Sequence, residues 1–146
     1  MSSDISLGDN FVWVSNMQLS RLIAFALEVA EPREDDGSAE YVERLRAFYE
    51  RDFYPGCSFD LAARFPTIDE RKFWARCFHH VARSVFLQKL GDQTLTYWQT
   101  SVIGDAYVIA RLLTRSVQAS EPGWAPRTEN SVEAEAFFSG AIALKV

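Results

Sequence analysis

Three polar side chains combine the residue types and positions that acid/base chemistry requires. Arg76 and His80 stand four residues apart, so a helix presents them on one face. Asp105 lies at the edge of the apolar face of a later predicted helix, where a carboxylate must find a cation or several donors. If the two helices are antiparallel, these side chains can meet. Two interpretations follow: an acid/base pair beside a ligand cavity, or a satisfied buried pair that fixes the helix register.

Zinc binding is the second chemistry to consider, because Cys77 and His80 stand about one helical turn apart. A closed zinc site takes four ligands, and the whole chain has 2 Cys and 2 His with no HExxH or CxxC spacing. Cys77 shares an apolar helix face with Trp74, which favours a small core residue. We therefore predict no metal and no cofactor. Since no nucleophile motif or phosphate loop appears either, we predict that the chain is not an enzyme.

One predicted helix is basic although the chain is acidic. Residues 71–83 contain no carboxylate, and Lys72, Arg76, His79 and Arg83 recur there at helical spacing. This face is either a site for an anion or acidic partner, or a solvated face paired with the acidic segment that precedes it.

The strongest charge feature is an acidic segment, residues 31–52, which holds eight Asp and Glu against four Arg. Tyrosines lie among these acidic residues. Aromatic side chains can anchor a partner and carboxylates can speed its association, a combination typical of binding to a cationic protein surface. We predict a partner-binding surface there, unless this is an ordinary acidic helix whose rings all belong to the core. Its residues would be Glu34, Asp35, Asp36, Glu40, Tyr41, Glu43, Glu50 and Tyr54.

Charge and hydropathy exclude several other classes of function. The formal net charge of -5 opposes phosphate backbones and anionic lipid, which argues against nucleic acid as a partner. The most apolar stretch, residues 22–30, is interrupted by Glu28 and is far shorter than the roughly 20 residues of a membrane span. The polar, acidic start lacks the pattern of a secretory signal, so we predict a cytoplasmic protein with reduced cysteines.

The elements that must position these residues are mainly helices. Periodicity and caps predict helices from Ser15 or Asn16 to about residue 30, from Ser38 to about 53, and over 59–64. A capping box, Thr67-Ile68-Asp69-Glu70, opens a helix to about residue 90, and further helices follow over about 93–118 and after 130. The run 11–14 is a short strand or an extended arm. We predict one domain, residues 1–146, folded as a mainly α bundle of about five to six helices.

In general character the chain resembles bacterial immunity proteins, the small acidic inhibitors encoded beside antibacterial toxins. The resemblance lies in the apolar opening at 11–16, the acidic segment at 31–52 and the aromatic-rich helical body. It implies a non-enzymatic inhibitor, monomer or homodimer, that covers a basic partner such as a cognate toxin, and it carries over no site residue. The alternatives are a small-ligand-binding or enzymatic helical domain that uses Arg76, His80 and Asp105, and a homodimeric structural module that buries exposed Trp and Phe.

Overall fold

The computed structural model describes residues 2–32, 36–88 and 97–126, and it begins with a small sheet. Strands β1 (Ser2–Leu7) and β2 (Asn10–Ser15) form an antiparallel hairpin. Strand β3 (Ser58–Asp60) pairs in parallel with β1, which gives the order β2-β1-β3. The hairpin turns at Gly8, whose φ of 61° lies in the left-handed region that glycine adopts readily.

Helices make up most of the described chain, so the prediction of a mainly helical protein is confirmed. Their bounds are α1 Asn16–Val29, α2 Ser38–Ala47, α3 Leu61–Arg64, α4 Ile68–Gln88 and α5 Tyr97–Gln118. A π-helical turn, Phe48–Asp52, continues α2. The sheet corrects the prediction of a bundle made of helices with at most one short strand.

Two of the predicted helix starts are confirmed in atomic detail. The hydroxyl of Ser15 accepts a hydrogen bond from the backbone N–H of Gln18 at 3.0 Å, which caps α1. The hydroxyl of Thr67 accepts from the N–H of Glu70 at 3.2 Å, which caps α4 and forms one half of the predicted capping box, while the Glu70 carboxylate accepts from Arg44 rather than from the N–H of Thr67. Local side-chain chemistry therefore fixes both helix starts.

Two predicted elements need correction. The helix expected from 38 to about 53 loses α-helical geometry after Ala47, and its N-cap residue is Gly37, in the left-handed region, rather than Ser38. The helix expected over 59–64 begins two residues later, because residues 58–60 pair with β1 and Asp60 then caps α3. The junction predicted near residue 92 and the helix predicted after residue 130 lie outside the described residues.

Helices α4 and α5 lie antiparallel, as predicted, with the start of α4 beside the end of α5. Arg71 donates to the hydroxyl of Ser116 at 2.8 Å, which joins these two ends. A row of rings then connects the sheet with α4, since neighbouring ring centroids lie 5.5–6.4 Å apart. We call this row the inner aromatic chain; its members are Phe48, Phe59, Phe65, Trp74 and Phe78.

Candidate functional site

The outer face of the hairpin carries two exposed aromatic rings. Along β2 the side chains alternate, so Val14 enters the core while Phe11 and Trp13 point outward and stay 60% and 61% exposed. The two rings lie 5.8 Å apart in an edge-to-face arrangement. Exposed rings that support each other in this way are typical of a surface that another molecule covers.

An open hollow of about 480 Å³ lies beside Trp13 and is lined by Ser2, Val14 and Ser15 as well. It sits at the end of the hairpin opposite the Gly8 turn, where β1 begins and β2 ends. The indole therefore borders a concave surface, and a partner side chain can lie against it there.

The side chain of Asn16 holds three segments of the chain together at this end of the molecule. Its oxygen Oδ1 accepts hydrogen bonds from the hydroxyl of Ser3 in β1 and from the backbone N–H of Gly56, the latter at 2.9 Å. The turn that contains Tyr54 is thereby attached to the start of α1. Tyr54 and Met17, which stand two residues and one residue from this junction, are as exposed as the hairpin rings. We call Phe11, Trp13, Met17 and Tyr54 the exposed apolar surface.

Only some residues of the predicted acidic surface are exposed, as the prediction of a binding surface requires. Glu40, Glu43 and Glu50 are exposed, and Glu43 forms an ion pair with Arg46. Tyr41 is half-buried and its ring packs 5.9 Å from that of Phe73, so it belongs to the edge of the core.

Of the other residues predicted to bind a partner, two are exposed and two lie outside the described residues. Tyr54 is exposed, and so is Asp36, whose carboxylate accepts a bond from the N–H of Ser38 at 3.0 Å. Glu34 and Asp35 lie outside the described residues. Tyr54 therefore belongs both to the predicted partner-binding residues and to the exposed apolar surface.

Arg76 and His80 line the same hollow, and Asp105 is not among its lining residues. Arg76 and His80 are exposed, and the hollow of about 390 Å³ is also lined by Glu31 and Asp36. Asp105 is 1% exposed, and its carboxylate accepts a hydrogen bond from the side-chain amide of Gln18 on α1 at 3.2 Å. This buried hydrogen bond favours a structural role for Asp105 in fixing the helix register over a role in acid/base chemistry.

Cys77 lines the same hollow, and its burial disfavours the reactive thiolate. Burial raises the pKa of its thiol to about 12, an effect that the neighbouring Arg76 guanidinium lowers only in part. The thiol is therefore protonated near neutral pH, whereas nucleophiles and zinc ligands are thiolates. In the described part of the chain, no three His, Cys, Asp or Glu residues lie close enough to hold a metal ion.

Three cations of the basic helix, Arg71, Lys72 and Arg76, have partners within the chain. Arg71 donates to the backbone carbonyl of Phe65 at 2.7 Å, and Lys72 forms an ion pair with Glu121. The guanidinium of Arg76 lies 5.5 Å from the centroid of the Trp124 ring. These contacts favour a structural role for this face of α4.

Comparison of the chain with protein-family models, with curated proteins and with solved structures finds no match. The resemblance to immunity proteins therefore stays a prediction. Among the described residues, no helix combines the length and the apolar character needed to cross a membrane.

Proposed function

We propose that this chain is a non-enzymatic protein-binding domain whose exposed apolar surface binds a protein with a basic surface. The observation that carries the proposal is the pair Phe11 and Trp13, which stand about three-fifths exposed on the outer face of the hairpin, beside a hollow. Binding energy at protein interfaces is concentrated in such aromatic side chains, Trp and Tyr above all. Burial of a side chain of this kind from full exposure contributes about 1.5–3 kcal/mol, and each ring has about three-fifths of that burial still to gain from a partner.

The expected positive charge of the partner follows from exposed carboxylates in the segments that carry the exposed apolar surface. Asp9 in the hairpin turn is exposed, as are Glu50 and Asp52 in the segment that leads to Tyr54. Together with a net charge of -5, these carboxylates attract a cationic protein from a distance and repel an acidic one. More specifically, we propose that the partner is an antibacterial toxin, and that the exposed apolar surface and the carboxylates near it cover a basic site on this toxin. Charge complementarity and the resemblance to immunity proteins support this form of the proposal.

The test compares two sets of aromatic deletions in the full chain. Wild-type protein, the double variant Phe11→Ala/Trp13→Ala and the control Trp124→Ala are immobilised and exposed to lysate of the source cells. Trp124 is a half-buried indole after α5, so its deletion removes an equal ring elsewhere. We expect a basic protein to be retained by wild type and control and lost by the double variant. Equal retention by all three proteins, or retention of an acidic protein, rejects the proposal.

The kinetics of the recovered complex test the charge argument separately. Exposed charges are screened within a Debye length, so association should slow by about tenfold or more between about 0.05 and 0.5 M salt. The dissociation rate should change much less. An association rate independent of salt would leave the rings as a binding surface but remove the acidic steering.

A second copy of this chain is the alternative occupant of the exposed apolar surface. The observation that favours it is the position of both rings on a strand at one side of the three-stranded sheet, since strands at a sheet edge readily pair with other chains. Sedimentation of wild type and double variant separates the two functions. A dimer that the double variant converts to monomer would replace the heterologous partner by a homodimer.

A further inference from the structure

A cavity between α4, α5 and the segment after α5 differs in charge from the other hollows. It encloses about 260 Å³, and its charged lining consists of Arg111 and Arg115, with His79 at its wall. None of the lining residues that the structure describes is a carboxylate. By contrast, Glu31 and Asp36 line the hollow of Arg76 and His80.

A third hollow, lined by Arg44 and Arg64 beside the π-helical turn, also contains Asp52. Arg44 is moreover bonded to the buried carboxylate of Glu70 at 2.9 Å. Cations and anions are thus mixed in that hollow. Of these three cavities, the one at Arg111 is therefore lined by positive charge and by no described carboxylate.

Two arginines near the end of a helix are not a site by themselves, because the helix dipole favours cations there. The second observation is His79, which is 3% exposed and yet contributes to the cavity wall. Its ring centroid lies 6.3 Å from that of Tyr107, another wall residue. A cavity lined by a buried imidazole, a phenol ring and two arginines is a concave polar site, whereas two solvated arginines on a flat helix are not.

The rest of the wall indicates the size and shape of the ligand. Ala110, Ala125 and Pro126 are small and apolar, and the hydroxyl of Thr114 donates to the carbonyl of Ala110 at 2.7 Å. The cavity volume is about 260 Å³. This is enough for an anionic group with a short apolar body, and it lies below the usual range of about 300–1,000 Å³ for larger ligands.

We propose that this cavity binds a small phosphate monoester, with the phosphate between Arg111 and Arg115 and a short apolar body against the alanine and proline side. Guanidinium groups form paired hydrogen bonds with phosphate oxygens, and two of them balance a charge of about -2. The inference is independent of the proposed protein-binding function, since it uses the opposite charge and another part of the molecule.

The test uses phenyl phosphate as the probe and inorganic phosphate as the comparison, titrated into the full chain by calorimetry at fixed ionic strength. We expect Arg111→Gln/Arg115→Gln to weaken phenyl phosphate binding at least tenfold. The matched control is Arg51→Gln, which removes an exposed arginine of the π-helical turn and should leave the affinity unchanged. Circular dichroism of each variant confirms that it is folded.

Three results would overturn the proposal. Wild-type protein that binds neither probe at millimolar concentration has no such site. A control variant that weakens binding as much as the double variant shows that only overall charge matters. Phenyl phosphate that binds no more tightly than inorganic phosphate removes the apolar side from the site, while tighter binding together with shifts of the His79 and Tyr107 ring resonances supports it.

Discussion

Aromatic rings occupy two opposite settings in this protein. Trp74, in the middle of the inner aromatic chain, is fully buried, and its ring stacks 5.5 Å from that of Phe65. Trp13 is 61% exposed, and among the described residues the ring beside it is that of Phe11. A tryptophan side chain therefore contributes strongly to the stability of the fold at position 74 and only weakly at position 13. The outer ring gains its full burial only when another molecule covers it.

The hairpin shows that this difference follows from strand geometry. On β2 the inward positions are the smaller Val12 and Val14, while the larger rings of Phe11 and Trp13 point outward. A shift of one residue in pairing would exchange the two sets, because successive side chains face opposite sides of a strand. A sequence selected for the core alone would put the larger apolar groups inside.

The largest expected effect is that of Trp74→Ala. Removal of a fully buried indole leaves a cavity and should lower the free energy of unfolding by about 3–5 kcal/mol, as measured by urea denaturation. A loss below about 1 kcal/mol would mean that the inner aromatic chain is not the centre of the core.

A smaller loss is expected for Asp105→Ala, which tests a polar contact inside the same core. The substitution leaves the buried amide of Gln18 without this acceptor, at a cost of about 1–3 kcal/mol. Asp105→Asn keeps an acceptor oxygen and should lose less. If both variants unfold at the wild-type urea concentration, the bond between α1 and α5 contributes nothing to stability.

Glu70→Gln tests a buried charge, with an effect that depends on pH. Burial raises the pKa of the Glu70 carboxyl, although Arg44 acts in the opposite direction. The folded state therefore holds this proton more tightly than the unfolded state, so wild type loses stability as pH rises from the ordinary carboxyl pKa through the raised one. Glutamine does not titrate and keeps an oxygen for Arg44. Thermal melts between about pH 4 and 8 should show a wild-type-minus-variant stability difference that falls with rising pH; a constant difference contradicts the raised pKa.

The smallest effect is expected for Trp13→Ala. Its stability should stay within about 0.5 kcal/mol of wild type in the same urea assay, since an exposed ring has little to lose on unfolding. A loss comparable with that of Trp74→Ala would erase the contrast between the two settings and weaken the case for a binding surface.

Elements with strong local patterns could be predicted from the sequence. Helices α1 and α4 have helical apolar spacing, and Ser15 and Thr67 mark their starts. Strand β1 could not be predicted because its outward residues are Ser and Asp and its inward set begins with Ser3, which leaves Ile5 as its one β-branched residue and no aromatic one. Strand β3 is three residues long and exists through its pairing with β1, which is a tertiary contact.

The candidate surface could be predicted only in fragments. The run 11–14 is too short to separate a strand from an arm, and without β1 the outward direction of Phe11 and Trp13 cannot be inferred. Gln18 on a largely apolar helix was the available indication of a buried partner for Asp105, but the sequence alone pointed to cations on α4 instead. Distances between remote helices depend on packing that local periodicity does not encode.

The carboxamide of Asn16 makes the position of Tyr54 dependent on the hairpin. Its single oxygen bonds both β1 and the turn at Gly56, so separation of the first strand from the start of α1 also weakens the attachment of that turn. The position of the tyrosine is therefore coupled to that of the hairpin through one side chain, although some forty residues of chain separate them.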